Sequence, residues 1–176
     1  MDNSELEPFL SEEEIREIVR KIAFDMQKDY KGGEPPLLVG VLKGSFMFLA
    51  DLSRELYRLG VCLEIDFLQT SSYKGTESAG EVRIEECIKT PMAGRNVVIV
   101  EDIADTSITL RGVEGHVSSD KPASLRTCAL LVREGCEVMP DYFGLEVPRG
   151  FVAGYGIDFN EKHREKPWIG VVPGTR

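Results

Sequence analysis

The chain has 176 residues, 42% apolar and 29% charged, the balance of a water-soluble globular protein, and one domain spanning 1–176 around a sizeable core is expected. Lys and Arg number 21 against 30 Asp and Glu, a net charge of −9, which argues against non-specific nucleic-acid binding and against anionic membrane surfaces; both need a basic face. No apolar run approaches the roughly 20 residues of a membrane span, and Met1–Glu7 lacks the basic start and apolar stretch of a secretory leader, so the cytoplasm is the expected compartment.

Ser11-Glu12-Glu13-Glu14 is a capping box, and Ile15, Ile18, Val19, Ile22, Ala23 and Met26 follow at helical spacing. The first helix is therefore expected from about Glu12 to about Tyr30, stopped by Gly32 and Gly33. Leu37–Leu42 reads as a short strand, Phe46–Leu59 as a largely buried helix stopped by Gly60, and Val61–Leu68 as a second strand. The segment 69–80 is rich in Ser, Thr and Gly and is expected to be a long mobile loop. Glu81–Ile88 is a further strand candidate, Thr90–Arg95 a turn, and Asn96–Glu101 a buried strand. A helix is expected from near Ser107, with Leu110, Val113 and Val117 facing inward and weakened by Gly112 and Gly115. Ser124–Val132, Asp141–Leu145, Phe151–Tyr155 and Trp168–Val172 complete the strand candidates. Strands alternating with helices imply an α/β fold, a mainly parallel sheet with helices on both faces, capped by the less regular chain ends.

The most informative run is Val97–Leu110. An apolar, β-branched stretch meets Glu101 and Asp102; Asp105 follows, then Thr106, Ser107, Ile108 and Thr109. Ligands in open α/β sheets sit where parallel strands end. Acids there can hold a sugar or a metal ion, and successive N–H groups with hydroxyls at a helix start can wrap a phosphate. A solvated acidic turn is the competing reading, and the hydroxyl-rich stretch that follows at once weighs against it. The run lacks the Gly-Lys-Ser/Thr ending of a Walker loop, and the chain carries no Gly-x-Gly-x-x-Gly. Cys62, Cys87, Cys128 and Cys136 form no Cys-x-x-Cys pair. With only His116 and His163 as potential partners, neither a zinc site nor a cysteine nucleophile is expected; three of the four thiols lie in or beside apolar runs and are expected to be buried.

The acidic pair followed by Asp-Thr-x-x-Thr resembles the phosphoribosyl-pyrophosphate (PRPP) motif of type I phosphoribosyltransferases. The runs Val41-Leu42-Lys43-Gly44-Ser45, Ser71-Ser72-Tyr73, Phe151–Asp158 and Glu161-Lys162-His163-Arg164 narrow the resemblance to the hypoxanthine (hypoxanthine-guanine) branch, in order from about Leu37 to Val172. The resemblance implies a type I phosphoribosyltransferase-like sheet with a small hood from the chain ends. It implies transfer of phosphoribosyl from PRPP to N9 of a 6-oxopurine, giving IMP or GMP and pyrophosphate, with Mg²⁺ as cofactor and a homodimer or homotetramer as the assembly.

By the same resemblance, Glu101 and Asp102 contact the ribose hydroxyls and their metal ion. Asp105 is the general acid/base near N7 of the purine, and Asp105–Thr109 hold the phosphate. The loop at Lys43 and Gly44 grips pyrophosphate through backbone N–H groups and an unusual peptide geometry at Leu42-Lys43, and Arg164 contacts the same group. Ser72 and Tyr73 lie in a loop that closes over PRPP and keeps water from the sugar. Phe151 stacks on the purine, the Val152 backbone pairs with its edge, Arg133 donates to its O6, and Asp158 holds a second Mg²⁺.

The chain departs from the pattern in places. Ser107 stands where the family has Gly, so a Cβ restricts that loop. Arg133 stands where the family has Lys, and a planar fork of donors is not equivalent to an ammonium. The segment Glu134–Pro140 is short and poor in basic residues. A PRPP-sensing regulator on the same fold, binding without turnover, is the alternative reading; the −9 charge, the lack of a spare domain and the retained Asp105 argue against it.

Overall fold

The computed structural model describes residues 6–72, 82–85, 88–105 and 108–175. In chain order these form β1 (Glu7–Leu10), α1 (Glu12–Tyr30), β2 (Leu37–Leu42), α2 (Phe46–Arg58), β3 (Glu64–Ser72) and β4 (Val82–Glu85). They continue as β5 (Asn96–Ala104), α3 (Ile108–Ser119), β6 (Ser124–Arg133), β7 (Tyr142–Val147), β8 (Val152–Ala153) and β9 (Ile169–Val171). The main sheet runs β4-β3-β2-β5-β6-β7. Its five strands from β3 to β7 are parallel, and β4 adds an antiparallel edge.

The alternation of each central strand explains the two-sided burial. Leu38, Val98, Val100, Cys128 and Leu130 join a core with α1 and α2. Leu37, Val39, Val97 and Ile99 point the other way and pack with Leu110, Val113 and Val117 of α3. Every residue of β2 from Leu37 to Val41 is buried, as expected of a strand covered on both faces. The α1 capping box forms as expected: the Ser11 hydroxyl accepts from the Glu14 N–H, and Glu14 Oε2 accepts from the Ser11 N–H at 2.8 Å.

The chain ends build a second, three-stranded sheet, β1-β9-β8, wholly antiparallel. It is the small hood that the resemblance implies. Tyr155 donates to Asp51 Oδ2 at 2.6 Å, tying the hood to α2.

Three expectations need correction. The second strand begins at Glu64 and continues through Gln69–Ser72, which pair with Val82–Glu85. Composition suggested a loop there, but the antiparallel partner supplies the hydrogen bonds that make polar residues strand. Ser72 is thus the last residue of β3; Tyr73 lies outside the described residues. Secondly, β5 does not end at Glu101. Its register with β6 continues through Ile103 and Ala104, so the acids sit inside the strand. Thirdly, among the described cysteines only Cys128 is buried; Cys136 is half-buried and Cys62 exposed. Among the described residues no helix is long and apolar enough to cross a membrane.

Candidate active site

The strand extension decides how the acids are presented. Adjacent residues in a strand face opposite sides, so Glu101 and Asp102 do not converge side by side. Glu101 is 5% exposed and feels Glu114 of α3. Burial, then Asp102 and Glu114, push its carboxyl up to about 8. Asp102 points toward the turn after β2, where burial pushes its carboxyl up to about 6 and Arg164 opposes that rise. Both acids nonetheless reach the same cavity of about 280 Å³, lined also by Val41, Gly44, Thr70, Asp105 and Thr109.

The turn itself is built for close approach. The Leu42-Lys43 peptide is cis, the unusual geometry that the resemblance implies. Ser45 is fully buried and donates to the Val41 carbonyl at 2.7 Å. A Cβ on Gly44 would overlap the Asp102 carboxylate. Gly156, in the hood, lies on the other side of Gly44; its φ of +97° suits glycine, and a Cβ there would run into the Gly44 carbonyl. Asp102, Gly44 and Gly156 therefore stack in direct contact.

Beside this stack lie the cations expected to meet pyrophosphate. Arg164 Nη1 donates to the Gly156 carbonyl at 2.8 Å, and Nη2 lies 2.7 Å from Asp158 Oδ1. Lys43 Nζ lies 3.1 Å from Glu161 Oε2. Asp158, expected to hold metal, thus pairs with Arg164, and its other oxygen accepts from the Glu161 N–H at 2.9 Å.

Two of the three expected purine residues, Arg133 and Phe151, meet in a second cavity, of about 410 Å³, lined also by Asp105, Glu134, Gly135, Glu137, Arg149, Gly150 and Thr175; Val152 does not reach it. Phe151 is 60% exposed, with its ring 6.1 Å from that of Phe159. An exposed aromatic face in a concave wall is a stacking platform. Its backbone is pinned by the chain end: the Phe151 N–H donates to Thr175 Oγ1 at 3.0 Å, and the Val172 N–H donates to the Phe151 carbonyl at 2.8 Å. Val152 is buried in β8, opposite Val171.

Arg133, the last residue of β6, is engaged at both ends. Nη1 donates to the Pro148 carbonyl at 2.9 Å, and Nε lies 3.6 Å from Asp105 Oδ1. Asp105 borders both cavities. Thr106 and Ser107 lie outside the described residues; Ile108 opens α3, and Thr109 lines the smaller cavity.

A larger cavity, about 1000 Å³, lies elsewhere, between α1, α2 and the hood. Most of its charges are engaged along their own helices, as in Arg16–Glu12, Arg54–Asp51 and Arg58–Glu55, and Asp51 also accepts from Tyr155 of the hood.

Sequence reasoning gave no role to Glu161, Arg149, Gly156 or Thr175. Glu161 lay within a quoted motif, and its neighbour Arg164 was the available signal. Thr175 carries none, because only the folded chain brings it to Phe151.

Residues 7–160 match the phosphoribosyl transferase domain family. A hypoxanthine-guanine phosphoribosyltransferase of Staphylococcus aureus is 39% identical over 98% of this chain and 96% of its own. One from Dictyostelium discoideum is 38% identical over 93% of each chain. A hypoxanthine phosphoribosyltransferase of Trypanosoma cruzi, solved in complex with the product IMP, superposes with a TM-score of 0.88 at 39% identity, covering 95% of this chain and 94% of its own. The chain belongs to the hypoxanthine-guanine phosphoribosyltransferases.

Proposed function

We propose that the protein is a purine-salvage enzyme that transfers phosphoribosyl from PRPP to N9 of hypoxanthine or guanine, giving IMP or GMP and pyrophosphate. The observation that carries this reading is the position of Asp105, on the rim shared by an acid-lined cavity at the strand ends and an aromatic-walled one beside it. A two-substrate transfer needs such a junction, with a proton acceptor where the two reactants meet.

The smaller cavity takes the ribose and its 5-phosphate. Asp102 and Glu101 receive the ribose hydroxyls, and the α3 N-terminus with Thr109 receives the phosphate. Lys43, Gly44 and Arg164 receive pyrophosphate. Phe151 stacks on the purine, with Arg133 and the Val152 backbone at its edges. Asp105 accepts the N7 proton as N9 bonds to the anomeric carbon and pyrophosphate leaves. Ser72 and Tyr73 belong to the segment that would close over the sugar.

The donor set fits a magnesium ion carried in by the substrate. Burial disfavours the ionised forms of Glu101 and Asp102, and a dication restores them. Mg²⁺ is commonly held by one or two carboxylates plus substrate phosphates, and among the described residues no group of three or more metal-ligating side chains forms a closed cage. Glu101, Asp102 and Asp158 would hold such ions, which neutralise the leaving group. PRPP and the nucleotide product are multiply charged and do not cross membranes unaided, and we take the enzyme to act in the cytoplasm, as a homodimer or homotetramer. The regulatory alternative gains nothing from the relatives described above, which are named as enzymes.

The test is pyrophosphate release with PRPP, Mg²⁺ and, in turn, hypoxanthine, guanine and xanthine. Turnover with hypoxanthine or guanine is expected. Binding of PRPP without turnover of any base would refute the reading.

A further inference from the structure

The pyrophosphate side of the site already contains an anion of the protein's own. Glu161 Oε2 lies 3.1 Å from Lys43 Nζ and 3.4 Å from Arg164 Nη2. A single carboxylate oxygen thus bridges both cations that the proposed function assigns to the leaving group. Those cations come from distant parts of the chain, the turn after β2 and the hood, and without a shared anion they would repel each other.

The backbone is shaped to deliver this carboxylate. Asn160, Glu161 and His163 have φ of +54°, +61° and +75°, left-handed values unfavourable for residues with a Cβ. Reciprocal hydrogen bonds between Phe159 and Lys162 close the turn, and the Glu161 N–H donates to Asp158 Oδ2. Side chains as exposed as Glu161 ordinarily extend into water, yet this one folds back onto the cations. Lys43 first, then Arg164, hold its carboxyl below the ordinary range, so it stays ionised at neutral pH.

Arg164 does not depend on Glu161 for its position. The Gly156 carbonyl and Asp158 hold its two terminal nitrogens. Removing the Glu161 charge therefore frees binding capacity without dismantling the pocket.

We infer that Glu161 is a built-in competitor for the pyrophosphate group. Its carboxylate neutralises Lys43 and Arg164 until a more highly charged polyphosphate displaces it, and it returns when pyrophosphate leaves. It weakens binding of PRPP and of pyrophosphate alike, and favours product release. This inference rests on the proposed function, since it takes Lys43 and Arg164 as the pyrophosphate ligands.

The test is the isosteric substitution Glu161→Gln at an exposed position, with pyrophosphate and Mg²⁺ titrated by calorimetry into the wild type and the variant. Exposed ion pairs are weak, so the expected gain in pyrophosphate affinity is about fivefold at low salt, with KM for PRPP falling in parallel and KM for the purine unchanged. The gain should shrink in 0.5 M salt, at which the screening length is only about 4 Å. Equal or weaker pyrophosphate binding by the variant at low salt overturns the inference, as does a gain indifferent to salt. A wild-type protein that binds no pyrophosphate overturns the proposed function of this pocket instead, so the two failures are distinguishable.

Discussion

The two cavities that meet at Asp105 are built on opposite principles. The ribose-phosphate side is made by the ends of parallel strands and one tight turn. Its acids are enclosed, and Gly44 leaves no space beside Asp102. The purine side is made by a strand end, a loop and the last residues of the chain. Its main platform, Phe151, is open to solvent and held through backbone hydrogen bonds to Thr175 and Val172. The contrast suits the ligands proposed for each side. A polyphosphate sugar demands fixed charges at fixed spacing, whereas a flat base needs a surface and a few edge contacts. Disturbance on the first side should therefore act through electrostatics and strain, and on the second through modest changes in base affinity.

The largest effect should come where the two sides join. Asp105→Asn removes the proton acceptor, and turnover should fall by about 10²–10⁴ while PRPP affinity changes little; single-turnover rates set against PRPP binding will check this. A fully active variant would exclude the acid/base role.

Gly44→Ala is next. The added methyl meets the Asp102 carboxylate and must displace it, so PRPP affinity should drop at least about tenfold, with stability lowered by about 1–3 kcal/mol. Affinity for the free purine base should fall much less. Equal losses for both would abolish the distinction between the two sides.

Glu101 offers a pH-dependent version. Its native pKa, about 8, lies above the ordinary value of 4.5. The unfolded chain therefore ionises first, and the ligand-free protein should lose stability as pH rises from about 4.5 to about 8, then level off. Glu101→Gln should flatten that slope, leaving the variant more stable than the parent at pH 8 by about 1–3 kcal/mol, as read by urea denaturation. PRPP-Mg²⁺ binding at pH 7 should release protons from the wild type, and fewer from the variant.

The smallest effect belongs to the purine side. Thr175→Ala removes one hydrogen bond to the Phe151 backbone, and KM for hypoxanthine should rise about two- to fivefold with PRPP affinity unchanged.

Much of this was legible in the chain. The capping box located α1, continuous apolar runs located β2, β5 and β6, and ordered motifs identified the family before any geometry was known. What escaped detection depends on contacts between distant residues. Gln69–Ser72 looks like loop until β4 lies beside it. Strand β1 contains Pro8 and exposed residues, and exists because β9 pairs with it. Arg133 was read as a donor to the purine, and its contacts to Pro148 and Asp105 emerge only when β6, β7 and the loops close together. Several residues named by motif, Glu101, Asp102, Asp105 and Thr109 on one side and Arg133 and Phe151 on the other, line two adjoining cavities; those that hold the motifs in register had no pattern of their own.

The column of Asp102, Gly44 and Gly156 has a mechanical consequence. Sheet, turn and hood are in direct contact there: only the short Asp102 carboxylate separates strand from turn, and backbone meets backbone between Gly44 and Gly156. Such a column resists compression, because close-packed interiors have low compressibility. A methyl added at Gly44 or Gly156 becomes a wedge that must push its neighbour aside. The site's depth at this point is set, like the gap of a shimmed joint, by two bare glycine backbones and one carboxylate.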